Sequence, residues 1–511
     1  MNFTPEHWMA MLPIIVVTLT SVVVMLLAAF YRNHQLVAGV TVMGLLAALY
    51  ALSLGRNMDA LQVTPLLVVD AYSIFFSAIV LATAAAVAVL CHGYFKLREG
   101  LHEEIYVLLL IATLGAMVLI ASDHFAGFFL GLELLSVSLF AMVAYPVTAL
   151  TRHGEPIEAG IKYLILSGVS SAFLVFGMAL MYAATGTMAF PELAVVLETQ
   201  ESNTYLITGT ALIIAGICFK LSLVPFHMWT PDIYQGAPAP VTSFVATVSK
   251  GAVLAALLKV FIILNVYQYQ SLVQVLGYIA IASMIGGNLL ALMQTNVKRI
   301  LAYSSSAHIG YALVAFLAAK TVSAEGSGTN LLAVEAVSYY IVAYVVTSLG
   351  AMGIVSVLSS DQNHIDDNRD FERLEDFDGL FWKHPYIASV FIACLLSLAG
   401  IPLTVGFIGK FYLFATGIEG NQWTLIAALV VGSSIGLFYY LRLVLTLFNQ
   451  HGNEDSYEGG AVEAELSSGG DLTLPAGGQV VVAVLAVIIV WLGVYPGPLI
   501  ATIQVFAKGF G

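Results

Sequence analysis

The chain has 511 residues, of which 60% are hydrophobic and only 10% charged, with a mean hydropathy of +0.93. A soluble domain averages roughly 45–50% apolar and about 25% charged residues, which excludes a water-soluble enzyme and identifies a polytopic membrane protein. The formal charge of −13 is concentrated: segment 359–383 holds eight acidic and three basic residues, and segment 451–475 six acidic and none. Both read as solvated loops outside the membrane.

Fourteen apolar spans follow in chain order: 9–30, 36–54, 72–95, 104–121, 123–146, 157–183, 205–226 continuing to about 236, 241–264, 272–294, 299–319, 331–358, 385–418, 422–449 and 478–501. Each approaches the twenty or so residues that cross a bilayer of about 30 Å. The first lacks a basic flank and a small-residue cleavage site, so it reads as a retained helix. One set of alternating loops carries Arg32, Lys96, Arg98, Arg152, Lys298, Arg299, Arg369, Arg373 and Lys383; the other carries Arg56, Lys320 and Lys508. Nine against three places both termini outside, in the periplasm for a bacterium.

Residues 216–241, GICFKLSLVPFHMWTPDIYQGAPAPV, set Lys220 five residues before Pro225. Proline cannot donate to the carbonyl four residues back and its ring clashes there, so the helix breaks. In lipid such a break survives only where protein or water fills the gap. The twelfth span, SLAGIPLTVGFIGKFYLF, has Lys410 after Pro402. Seventh and twelfth spans are five apart and so cross in opposite directions, which predicts two inverted five-helix repeats with broken helices near the midplane. The chain then divides into helices 1–3 (1–103), a first repeat (104–264), a second repeat (272–449), an acidic cytoplasmic loop (450–477) and a last helix (478–511).

Charged groups within spans are costly and mark function. Glu133 stands alone in HFAGFFLGLELLSVSLF, and its charge would govern a proton held on Lys220. Lys250 lies mid-span in VTSFVATVSKGAVLAALL. His308, in RILAYSSSAHIGYALVAF, is flanked by Ser304, Ser305, Ser306 and Tyr311, groups that hold water. His227 either conducts or satisfies the backbone freed at Pro225, and Lys410 closes the row. Lys162, Lys259 and Arg442 lie where a long side chain can simply snorkel. Cys91, Cys218 and Cys394 have neither iron–sulfur nor zinc spacing, and no dinucleotide or P-loop motif occurs, so no redox centre is expected in this chain.

The run FKLSLVPFHMWTPDIYQGAPAPV, with MLPIIVV near the start and LGVYPGPL near the end, resembles the antiporter-like subunits of proton-pumping NADH:quinone oxidoreductase, respiratory complex I. The resemblance implies that Glu133 pairs with Lys220, that Lys250 and His308 continue the row, and that Lys410 is its exit. Lysine at that last position is like the N and L subunits and unlike the M subunit. No lateral helix is expected beyond Gly511, which favours N. It further implies other membrane subunits as partners, above all neighbouring antiporter-like and small ones. Flavin, iron–sulfur clusters and quinone are then expected in other subunits, and nucleic acid is not a partner. Two alternatives remain: a subunit of a multi-subunit cation/proton antiporter or membrane-bound hydrogenase, and an enzyme acting on lipid or quinone, for which no motif is present.

Overall fold

The structure, a computed structural model, describes residues 4–55, 58–96, 98, 100–145, 155–199, 203–323, 326–360, 370–449 and 474–510. The acidic stretch 451–475 falls almost wholly outside the described residues, as do Arg56, Arg152 and Arg369. The helices are α1 (Pro5–Phe30), α2 (His34–Leu54), α3 (Ala71–Phe95), α4 (Glu104–Ile120), α5 (Phe125–Val143), α6 (Glu155–Thr185), a short α7 (Phe190–Thr199), α8 (Thr204–Lys220), α9 (Trp229–Gly236) and α10 (Ala239–Ile263). They continue with α11 (Gln270–Leu292), α12 (Val297–Leu317), α13 (Leu331–Leu358), α14 (Pro385–Ala399), α15 (Val405–Glu419), α16 (Trp423–Phe448), α17 (Ala476–Val494) and α18 (Gly497–Ala507). Eleven of the described helices are long and apolar enough to cross a membrane, so the fold is all-α and multi-pass.

Short polar side chains start many of these helices. Asn33, Asn203 and Asn296 accept from the backbone of Leu36, Leu206 and Arg299 at 3.0, 2.9 and 3.1 Å, and Asp70 forms a capping box with Ser73. Each satisfies an amide that the first helical turn leaves without a partner. Three features depart from the sequence reading. The stretch after the sixth span holds α7, which buries Phe190 and Leu193. The last span, expected over 478–501, ends at Val494, because Pro496 starts a new helix after a turn. Two small antiparallel hairpins, β1 (Leu61–Thr64) with β2 (Leu67–Val69) and β3 (Lys320–Ser323) with β4 (Gly326–Thr329), sit in loops.

Loops gather at two opposite ends. Leu67 bridges Ser122 and His124 bridges Ala189, joining the connections after α2, α4 and α6. At the other end Asp370 meets Arg98 at 3.4 Å and Lys298 at 2.7 Å, joining the connections after α3, α11 and α13. That alternation is what an up-and-down bundle requires.

Burial is graded across the bundle. All of the most apolar stretch of α12 is enclosed by protein, 94% of that of α13 and 89% of that of α10, against 28% for α1 and 33% for α6 and α17. Glycines permit the tight centre: Gly287 lies against the Ala307 amide and Tyr303 carbonyl, and Gly310 against Met284. Polar side chains are therefore affordable on α10, α12 and α13, which see little or no lipid.

Candidate functional site

The first break lies between α8 and α9. Lys220 is the last residue of α8, five before Pro225, so the helix stops where the proline ring would meet the Leu221 carbonyl. Ser222 then takes a left-handed φ of 59°. The freed groups find partners: Leu223 N donates to Cys218 O at 2.9 Å, Trp229 Nε1 to Phe219 O at 3.0 Å, and Val224 N to Ser283 Oγ at 3.0 Å. Protein fills this gap, as the low dielectric demands.

Lys220, 5% exposed, donates to Ser136 Oγ at 2.7 Å and Ser167 Oγ at 2.6 Å. Glu133 Oε1 accepts from Ser171 Oγ at 2.5 Å and stands 4.0 Å from the Lys220 amine. The acid and base face each other, yet each is held by serines. A pair at that separation closes or opens by a small side-chain movement.

The second break separates α14 from α15. Gly400 (φ 85°) and Leu403 (φ 71°) are left-handed, and Thr404 caps α15. Lys410, from the far half, reaches back to donate to Ala399 O at 2.9 Å. It thus caps the C-terminal end of α14, where the helix dipole favours a cation.

Between the breaks lie α10 and α12. Five residues before Lys250, α10 widens into a π turn, Val245–Ser249. Such turns insert one residue and re-aim those that follow. Lys250, 1% exposed, donates to Ser305 Oγ at 2.5 Å, and its amine lies 5.4 Å from the centre of the Tyr234 ring. Three positions along α12, His308 meets Tyr340 OH through Nδ1 at 2.7 Å and Tyr440 OH through Nε2 at 3.2 Å. The Lys410 amine sits 5.2 Å from the Tyr311 ring, which packs edge-on against His308 at 5.5 Å. His227 is buried, with its ring 6.2 Å from that of Tyr303 and its nitrogens beside the Pro225 backbone without a fully formed hydrogen bond.

The expected residues thus fall into three clusters: Glu133 with Lys220, Lys250 with His308 along α12, and Lys410 at the second break. Sequence reasoning missed most of the hydroxyls that join them, since Tyr340, Tyr344 and Tyr440 come from distant helices. It also missed a buried pair at the opposite end of α10, where Lys259 lies 3.0 Å from Asp70. The other two basic residues at span ends, Lys162 and Arg442, find partners of different kinds. Lys162 reaches out to Glu158 at 2.7 Å and Asp232 at 3.2 Å, while Arg442 donates to the Leu292 and Gln294 carbonyls at 3.1 and 2.6 Å. Among the described residues no group of three His, Cys, Asp or Glu side chains is placed to hold a metal ion.

Residues 121–436 match the family model for the NADH:quinone oxidoreductase/Mrp antiporter transmembrane region. The chain is 47% identical over 497 residues to the NADH-quinone oxidoreductase subunit N of Methylococcus capsulatus, covering 97% of this chain and 94% of that one. It is 43% identical to the subunit N of Ectopseudomonas mendocina, covering 98% and 97%. Its fold is similar to a chain of respiratory complex I from Thermus thermophilus with bound aureothin, at a TM-score of 0.76 and 29% identity, covering 96% of this chain and 98% of that one.

Proposed function

Because this chain belongs to the family of NADH:quinone oxidoreductase and Mrp antiporter membrane subunits, we propose that Glu133, Lys220, Lys250, His308 and Lys410 are its proton path. In this reading it is a proton-translocating membrane subunit of NADH:quinone oxidoreductase. The proton crosses through this chain while redox chemistry proceeds in other subunits. The carrying observation is that Lys220, Lys250 and His308 are each 5% exposed or less, the last two on helices whose most apolar stretches are at least 89% enclosed by protein, and that Lys410 turns back to the end of α14 at the second break. Charged groups in that setting are expensive unless they do work. His227 is the side branch of the row, poised beside the first break.

The fourteen spans belong to this reading too, as do the inverted repeats 104–264 and 272–449. Their support is a pair of broken helices an odd number of spans apart, each with a lysine at the break. Both termini are assigned to the periplasmic side of a bacterial inner membrane, from the excess of Lys and Arg in the opposite loops. Its partners are the other membrane subunits of the complex, following the subunit name its relatives carry.

The test is Lys250→Met in the complete complex, with proton pumping measured in proteoliposomes and normalised to assembled complex. Pumping should fall strongly while assembly persists. Unchanged pumping per assembled complex would remove the central step.

A further inference from the structure

Lys250 and His308 do not touch. Each ends in a separate string of hydroxyls, and the two strings approach the same small cavity. From Lys250 the amine donates to Ser305 Oγ at 2.5 Å, and Ser305 Oγ bonds Tyr344 OH at 2.7 Å. From His308 the Nε2 meets Tyr440 OH at 3.2 Å, and Tyr440 OH is hydrogen-bonded to Ser304 Oγ. Ser304 and Tyr344 both line an internal cavity of about 10 Å³, together with Ser348 and Ala246. That is room for one water centre, and a buried water needs two to four polar partners. Three lining residues carry hydroxyls, and Ala246, whose carbonyl accepts from Tyr344 OH at 2.9 Å, lines the same cavity.

We infer that Ser305, Tyr344, one water in this cavity, Ser304 and Tyr440 form a hydroxyl bridge carrying the proton between Lys250 and His308. The inference rests on the relay reading above and deepens it. The Lys250 ammonium gives a proton to Ser305 Oγ as Ser305 passes its own to Tyr344. Tyr344 turns its hydroxyl from the Ala246 carbonyl and passes its proton to the water, the water to Ser304, Ser304 to Tyr440, and Tyr440 to His308 Nε2. Each oxygen loses one O–H bond and gains one, so each ends as the neutral group it began as. Lys250 is left as the amine and His308 becomes the imidazolium; no electrons move. The step uses the tautomer whose Nδ1–H donates to Tyr340 OH, which leaves Nε2 to accept. The adjacent positions of Ser304 and Ser305 on α12 let one helix turn serve both strings.

Two variants attack the bridge at different points. Tyr440→Phe removes one hydroxyl and keeps the ring; Ser348→Val fills the cavity with carbon. Both should assemble and lower pumping per assembled complex, to roughly a tenth or less, the scale of losing a positioned proton carrier. Pumping in heavy water separates transfer from packing: with the bridge cut, internal transfer becomes slow and the solvent isotope effect should rise above that of the unaltered complex. Normal pumping in Tyr440→Phe overturns the bridge, as does lowered pumping with an unchanged isotope effect. Lys250→Met and His308→Ala belong in the same series. If they are impaired while the bridge variants pump normally, the relay stands without the bridge. If they pump normally, the relay itself falls and the bridge with it. Should Ser348→Val fail to assemble, Tyr440→Phe decides.

Discussion

Lys220 and Glu133 show why two residues in contact need not form a fixed pair. At 4.0 Å, with Ser136, Ser167 and Ser171 closer to their charged ends, the lysine and glutamate compete with hydroxyls for each other. If Lys220 holds a transferable proton, Lys220→Ala should abolish most pumping and much coupled NADH oxidation while the complex assembles. Glu133→Ala should follow it, because it removes the charge that sets the lysine's proton affinity. Glu133→Asp should be milder, keeping the charge on a shorter arm. A purely structural pair behaves otherwise: breaking it costs about 3–5 kcal/mol, so assembly should fall with activity. Native-gel assembly set against pumping separates these outcomes. The six candidate residues are legible in the sequence because a charged or imidazole side chain in an apolar run stands out by itself. Beyond the Ser304–Ser306 run, most of their serine and tyrosine partners are not, since a hydroxyl in a span is commonplace until folding brings Tyr440 against His308.

At the scale of elements, the two breaks reach one arrangement by different local routes. In the first, proline stops α8 directly after its lysine. In the second, a left-handed glycine ends α14 and a lysine from the following half returns to its last carbonyls. Gly400 is the vulnerable point. Its φ of 85° is one that a side chain adopts only at a cost, and an added Cβ would stand 2.8 Å from the Lys410 Cδ. Gly400→Ala should therefore cost about 1–2 kcal/mol from handedness alone and displace Lys410 from Ala399. The expected result is a lower thermal midpoint of the purified complex together with reduced pumping per complex. A midpoint and pumping rate equal to the parent would show that the break tolerates a side chain. Both prolines announced their breaks in the sequence. The π turn before Lys250 did not, because one inserted residue leaves the apolar pattern of a fully buried helix unchanged. The β1–β2 hairpin and α7 escape for a related reason: they are short loop elements docked on neighbours, Leu67 bridging Ser122 and α7 burying Phe190 and Leu193.

Over the whole molecule, two of the basic loop residues, Lys298 and Arg98, turn out to join separate parts of the bundle. Lys298, counted among the loop charges, is 1% exposed and donates to the Gln235 and Ala237 carbonyls at 3.0 and 2.8 Å and to Asp370 at 2.7 Å. Arg98 and Tyr94 converge on the same carboxylate, at 3.4 and 2.6 Å. One buried acid therefore ties the end of the first broken helix, the N-terminal helices and the connection leading to α14. Such a network has a different signature from the relay, since its task is geometry. Lys298→Ala strands a buried carboxylate with fewer partners and frees two carbonyls; loss of one member of a buried pair costs about 3–5 kcal/mol. Asp370→Asn, which keeps the shape but removes the charge, should be somewhat milder because two hydrogen bonds can survive. Both should reduce the amount of assembled complex and its thermal stability, while whatever complex assembles pumps at close to the parental rate. Lys220→Ala predicts the reverse, full assembly with little pumping. If Lys298→Ala assembled normally and failed to pump, Lys298 would have to be moved from the scaffold into the proton path, and the path would then extend to the loop end of the bundle.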